Sequence, residues 1–233
     1  MNTSCTNAAT AFLLALALIA PVSLAAPKQT ALPVPPSATP EIIAHELRFN
    51  GAPMRIVRFA TADADDTLKF YRRYFVDHAR EGKYTEKGSA RRKMIGALMQ
   101  DKQLINVEMT SAGERTFHVT VSSLDIFQME IPEKLARDIP RMPGSKVVQH
   151  QDSRDGAKSN RFVIVQNNQS VEGNAMYLRE HYIRQGWRRD SDETIEAAAH
   201  RQLGFSKEDR QLRINIKKTG RDMTLIIHNE MKE

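Results

Sequence analysis

The stretch that decides the fold is residues 63–82, which read DADDTLKFYRRYFVDHAREG. Four of its apolar residues follow the i, i+4, i+7 spacing that places side chains on one face of a helix. They are Ala64, Leu68, Tyr71 and Phe75. The same spacing returns about 107 positions later. There the four residues are Val171, Ala175, Leu178 and Tyr182. The repeat predicts a helix in each half of the chain.

Turn and capping residues support the repeat. Asn50-Gly51 precedes the first helix, and Asp155-Gly156 stands about 105 residues further on. Both dipeptides favour tight hairpins, because their residues tolerate positive φ. Thr61 or Asp63 is the expected N-cap of the first helix and Ser170 that of the second, since a short polar side chain can bond the free N–H groups of the first turn. Gly82 and Gly186 are the expected helix ends.

Alternating apolar residues after each helix predict strands, and the full order in each half is ββαβββ. The sequence therefore predicts an α+β fold made by tandem duplication of a ββαβββ module. Each module is an antiparallel sheet with one helix packed on one face. We expect the modules at residues 41–131 and 145–233, joined by a linker at 132–144. The alternative is two unrelated α+β halves that share common turn chemistry.

The N-terminal region has the layout of a secretory signal peptide. Residues 8–26 are apolar and uncharged, and they end in small residues. This predicts a signal peptide at residues 1–26 and a periplasmic or secreted protein with no transmembrane segment after cleavage. An uncleaved membrane anchor is the alternative. Cys5, the only cysteine, precedes the apolar run, so a lipoprotein is not expected. Residues 27–40 are rich in Pro and predict an extended tether.

Composition and motifs exclude several functions. The formal net charge is +6, which permits anionic partners without requiring them. That modest charge on an exported chain makes nucleic acid an improbable main partner. The phosphate loops of nucleotide-binding proteins are absent, as are the serine-hydrolase elbow and the zinc motif H-E-x-x-H. We therefore expect no nucleotide, no cofactor, no metal and no catalytic residues.

Two histidines occupy similar places in the last strand of each half. His118 and His228 both alternate away from the apolar positions when these are counted from Phe117 and Leu225. Paired metal ligands or general bases on an open sheet face are one interpretation. Ordinary exposed polar positions are the simpler one.

Basic residues in the second half form the candidate binding site. Arg188 and Arg189 follow Trp187, and Arg213 and Lys217 lie on the polar side of a late strand. Cations beside an aromatic ring can hold phosphate or an acidic glycan. The simpler reading is solvated surface charge.

The expected function is a non-catalytic binding or interaction protein of the cell envelope. Its partner would be another envelope protein or an anionic surface polymer. The absence of catalytic motifs and the one-sided sheets support this expectation. The alternative is an exported hydrolase with its site in the cleft between the two modules, where pockets often form.

Overall fold

The computed structural model describes residues 32–43, 46–113, 116–196, 199–220 and 222–233. The predicted signal peptide lies outside these residues. The strands that the structure describes are β1 (Glu41–Ile42), β2 (Glu46–Phe49), β3 (Ala52–Thr61), β4 (Thr85–Gly88), β5 (Arg92–Leu98), β6 (Gln103–Ser111), β7 (Phe117–Asp125), β8 (Lys146–Asp155), β9 (Lys158–Asn167), β10 (Arg188–Glu196), β11 (His200–Lys207), β12 (Arg210–Thr219) and β13 (Met223–Lys232). The helices are α1 (Ala64–His78), α2 (Pro132–Leu135) and α3 (Val171–Arg184), with 3₁₀ turns at Arg80–Gly82 and Ile126–Gln128.

All thirteen strands belong to one antiparallel sheet. Its order is β10-β11-β12-β13-β9-β8-β2-β3-β7-β6-β5-β4, and β1 pairs with β3. The two halves of the chain meet where β2 pairs with β8, a junction we call the seam. There Leu47 lies opposite Ser153, and Phe49 lies opposite Gln151. The seam gives hydrogen-bond partners to two strand edges that would otherwise be unpaired.

The predicted fold class is therefore wrong. The chain is mostly antiparallel sheet, and it is not a duplicated α+β ββαβββ module with separate sheets. Four strands, rather than three, follow both α1 and α3. The additional strands are β4 and β10, which form the two edges of the sheet. Their residues are largely exposed, so they lack the apolar alternation that marks a half-buried strand.

Two hydrophobic clusters lie on the sheet. The first joins Leu68 and Phe75 of α1 to strand residues such as Phe59. The second joins Leu178 of α3 to strand residues such as Val163. Burial of these apolar side chains supplies the main favourable free energy of folding.

Both clusters lie on the same side of the sheet, which follows from strand register. Arg48 pairs with Pro53, which shares a face of β3 with Phe59. Arg48 also pairs with Asp152, which lies opposite a β9 residue two positions before Val163. Residues two apart on a strand share a face. We call this side the helix face and the other side the open face.

Asp63, rather than Thr61, caps α1, the predicted cap Ser170 of α3 is confirmed, and one predicted helix end is wrong. Asp66 N donates to Asp63 Oδ1 at 2.8 Å, and Gly173 N donates to Ser170 Oγ at 2.9 Å. Gly186 follows α3 with a φ of 80°. Helix α1, however, ends at His78 rather than near Gly82. Ala79 leaves the helix because it forms a β-bridge with Met99.

Both predicted hairpins are confirmed. Asn50 and Gly51 have φ values of 47° and 78° and form a two-residue turn between Phe49 and Ala52. Gly156 has a φ of 59° in the turn that joins β8 to β9. Positive φ at these positions is the backbone condition that such tight turns require.

The described part of the Pro-rich segment lies against α1. Leu32, Val34 and Ala38 pack on the first cluster, and Tyr71 Oη donates to Pro33 O at 3.0 Å. Among the described residues, no helix combines the length and the apolar character that crossing a membrane requires.

Candidate functional site

A pocket of about 590 Å³ opens on the helix face at the seam. Five strands line it, one from the first half of the chain and four from the second. Its lining residues are Glu46, Arg48, Asp152, Ser153, Arg154, Ser159, Asn160, Arg161, Arg210, Glu230 and Lys232. Five of them are cationic and three are acidic, so the lining has a formal charge of 5 − 3 = +2. We call it the seam pocket.

Strand register arranges the charged residues in two rows. In the inner row, Arg48 lies opposite Asp152, Asp152 opposite Arg161, and Arg161 opposite Glu230. The outer row is two positions further along each strand. It runs Glu46, Arg154, Ser159, Lys232 and Arg210. Because the rows are two residues apart on every strand, both project from the helix face.

Arg161 forms the floor of the seam pocket. Its Nη1 and Nη2 donate to the two carboxylate oxygens of Asp138, at 2.6 and 2.8 Å. Nη2 also donates to Leu135 O at 2.9 Å, and Nε donates to His150 Nε2 at 3.1 Å. These hydrogen bonds hold the pKa of Asp138 below its usual range, although burial acts in the opposite direction. Most N–H groups of Arg161 are thus already used to attach the α2 segment to the sheet.

The buried side chain of His150 supports this floor. Its Nε2 accepts a hydrogen bond from Arg161, so the proton of a neutral ring is on Nδ1. Nδ1 lies 3.4 Å from Asp152 Oδ2, without hydrogen-bond geometry. Burial lowers the pKa of His150, and the neighbouring Asp152 opposes that shift. Both ring nitrogens therefore face charged side chains.

The turn between β2 and β3 is attached to His150. Asn50 N donates to His150 O at 2.7 Å, and His150 N donates to Asn50 Oδ1 at 2.9 Å. Asn50 is buried, so these bonds are shielded from competing water. They fix the first half of the chain against β8 beside the seam pocket.

His228 lies beneath α3 and not on the open face. It is 1% exposed and lies opposite Val163 of the second cluster. Its Nδ1 is 3.4 Å from Tyr182 Oη, and among the described residues its Nε2 has no hydrogen-bond partner. Burial lowers the pKa of His228 to about 3. The ring is therefore neutral at pH 7.

The sequence-based placement of His228 is thus wrong, whereas His118 is exposed as expected. Strand β13 carries apolar residues on both faces, and the buried set is Thr224, Ile226 and His228. His118 lies on the open face, because its neighbour Val119 is in the first cluster. The two histidines are on opposite faces of the sheet and cannot form one site.

Three cations of the seam pocket remain able to bind a ligand. The Arg154 side chain has no ion-pair or hydrogen-bond partner within the described ranges. Lys232 Nζ lies 3.5 Å from Asp209 in an exposed pair, and Arg48 Nη1 donates to Gly51 O at 2.9 Å. Arg210 is more firmly held, since it pairs with Glu230 and lies over the Trp187 ring at 4.9 Å.

The four sequence-predicted site residues lie elsewhere. Arg213 and Lys217 project from the open face of β12. On β10, Arg188 pairs with Asp190, and Arg189 lies 3.7 Å from Asp192. Arg189 is opposite Phe205 and therefore on the helix face, so the structure does not bring the four together. Sequence reasoning missed the seam pocket because its cations come from separate strands.

Comparison with models of known protein families, with curated proteins and with solved structures finds no match. Within the described ranges, no group of three or more His, Cys, Asp or Glu side chains is arranged to hold a metal ion.

Proposed function

We propose that this chain is an exported, non-catalytic binding protein whose seam pocket takes an anionic ligand. The observation that carries the proposal is the excess of cations over carboxylates in one concave site. Charged walls around a cleft concentrate the opposite charge near it. An anionic surface polymer of the cell envelope fits this site better than an uncharged partner.

The surroundings of His150 favour binding over hydrolysis. A histidine that acts as general base needs a ring nitrogen within reach of the proton that it removes. Both nitrogens of His150 instead face Arg161 and Asp152, and the residue is only 3% exposed. His228 is buried more deeply still. A hydrolase site that used histidine at the junction of the two halves would require one of these rings to face the cavity.

The test is titration of the protein with sulfated dextran and with unsulfated dextran of the same length. We expect binding only to the sulfated chain. The affinity falls steeply between 0.1 M and 1 M salt, where the Debye length shrinks from about 10 Å to about 3 Å. Binding of both dextrans, or binding insensitive to salt, would contradict the proposal.

Two double variants, each of which removes two positive charges, locate the binding site. Arg48→Gln/Arg154→Gln removes two cations of the seam pocket and lowers the affinity for sulfated dextran by about tenfold, the combined effect of two exposed ion pairs. Arg213→Gln/Lys217→Gln removes two cations of the open face and leaves the affinity unchanged. The reverse pattern would assign binding to the residues predicted from sequence.

A further inference from the structure

Two free cations of the seam pocket lie on strands that are not adjacent, and their separation limits which ligands can contact both. Arg154 on β8 and Lys232 on β13 both lie opposite Ser159 on β9. They are therefore two strand spacings apart, or roughly 10 Å between Cα atoms. Ser159 is the small residue between them. Arg154 and Lys232 are thus the free cations of the outer row, and the uncharged Ser159 separates them.

The inner row does not favour an anion placed deeper in the pocket. Arg161 is already neutralised by Asp138. The carboxylates of Asp152 and Glu230 lie on either side of it in the same row. The inner row has two cations and two carboxylates, whereas the outer row has three cations and one carboxylate, Glu46, so acidic groups of a ligand are held at the outer row rather than on the floor.

These two observations distinguish compact anions from extended ones. A compact anion is held by both cations only if the two long side chains bend toward each other over Ser159 and lose rotamer freedom, and one exposed ion pair by itself contributes little affinity. An extended anion with an acidic group at each end engages both cations. Its second contact is intramolecular and benefits from a high effective concentration.

On the basis of the proposed function, we infer that the seam pocket selects an elongated anion whose acidic groups are roughly 10 Å apart, with Arg154 and Lys232 each binding one of them. The ligand crosses the strands above Ser159. A linear acidic polymer with regularly spaced charges has this form. The Lys232 contact with Asp209 is exposed and is exchanged for the ligand at small cost.

Calorimetric titration with three small probes tests this inference. Succinate and sebacate both carry two carboxylates, but only the extended chain of sebacate reaches across the gap. Decanoate has the chain length of sebacate and one carboxylate, so it controls for apolar contact. We expect sebacate to bind about tenfold more tightly than either succinate or decanoate.

Single substitutions separate this inference from the proposed function. Arg154→Gln and Lys232→Gln should each lower sebacate affinity to the level of succinate, while Lys217→Gln on the open face has no effect. Equal affinity for sebacate and succinate would overturn the inference and leave anion binding intact, as would binding of sulfated dextran without binding of sebacate. Failure of sulfated dextran and all three probes to bind would overturn both.

Discussion

Among single residues, His228 shows most clearly what the fold imposes on a side chain. The run Thr224, Leu225, Ile226 and Ile227 offers an apolar residue to either face of β13. Alternation alone therefore cannot say which face is buried. Packing beneath α3 selects the set that contains His228. The sequence predicts the strand, but a contact with a distant helix decides which face of the strand is buried.

The buried imidazole should make stability depend on pH. Burial lowers the pKa of His228 to about 3 in the folded chain, against about 6.5 in an unfolded one. The unfolded state then binds more protons below pH 6.5, so stability falls as the pH falls. We expect His228 alone to decrease the free energy of unfolding by about 2 kcal/mol between pH 7 and pH 5.

Urea unfolding at these two pH values measures the effect. The variant His228→Leu removes one titrating ring, and its fall in stability should be smaller than that of the wild type by about 2 kcal/mol, while His150, whose pKa burial also lowers, contributes to the fall in both proteins. The variant His118→Gln removes an exposed histidine and should keep the pH dependence of the wild type. If the free energy of unfolding changed equally with pH in the wild type and in His228→Leu, the assignment of the pH dependence to His228 would be contradicted.

At the level of elements, local chemistry predicts the helix caps and hairpin turns well and the edge strands poorly. Asp63, Ser170 and Asn50-Gly51 act through hydrogen bonds and φ values within a few residues, so the sequence displays them directly. Strand β10, by contrast, reads RRDSDETIE and lacks the alternation of apolar residues from which a strand is predicted. Its charges suit an exposed edge, where they discourage pairing with other chains.

The turn at Asn50 should contribute more to stability than an ordinary hairpin turn. Asn50→Ala forces alanine to a φ of 47° and leaves the buried His150 N–H without its acceptor. We expect a loss of about 2 to 4 kcal/mol in the free energy of unfolding. Asn50→Gly avoids the strain but still lacks the side-chain acceptor for His150 N–H, and should cost about 1 to 3 kcal/mol.

Gly156→Ala is the matched control for this turn. Gly156 has a φ of 59° in the other hairpin turn and open space around it, so the variant places alanine at positive φ without removing a side-chain hydrogen bond. Urea unfolding of the three variants gives the values. A cost for Asn50→Gly no greater than the error of the measurement would show that the bond to His150 does not hold the turn in place.

At the scale of the whole molecule, the joining of β2 to β8 is the feature that the sequence did not predict. The paired residues are about 100 positions apart, as with Leu47 and Ser153. Backbone N–H and C=O groups at two strand edges make this pairing, and no side-chain pattern predicts it. The seam pocket depends on it, because Glu46 and Arg48 line a cavity otherwise made by the second half.

Disulfide formation across the seam tests the continuous sheet most directly. Glu46 and Arg154 are exposed and lie opposite each other, within the Cα separation of about 4.4 to 6.8 Å that a disulfide allows. In a Cys5→Ser background, Glu46→Cys/Arg154→Cys should form an intramolecular disulfide on mild oxidation. Glu46→Cys/Ser159→Cys spans two strand spacings, roughly 10 Å, and should not. No crosslink in the first pair, or equal crosslinking in both, would contradict the single sheet and the pocket built across it.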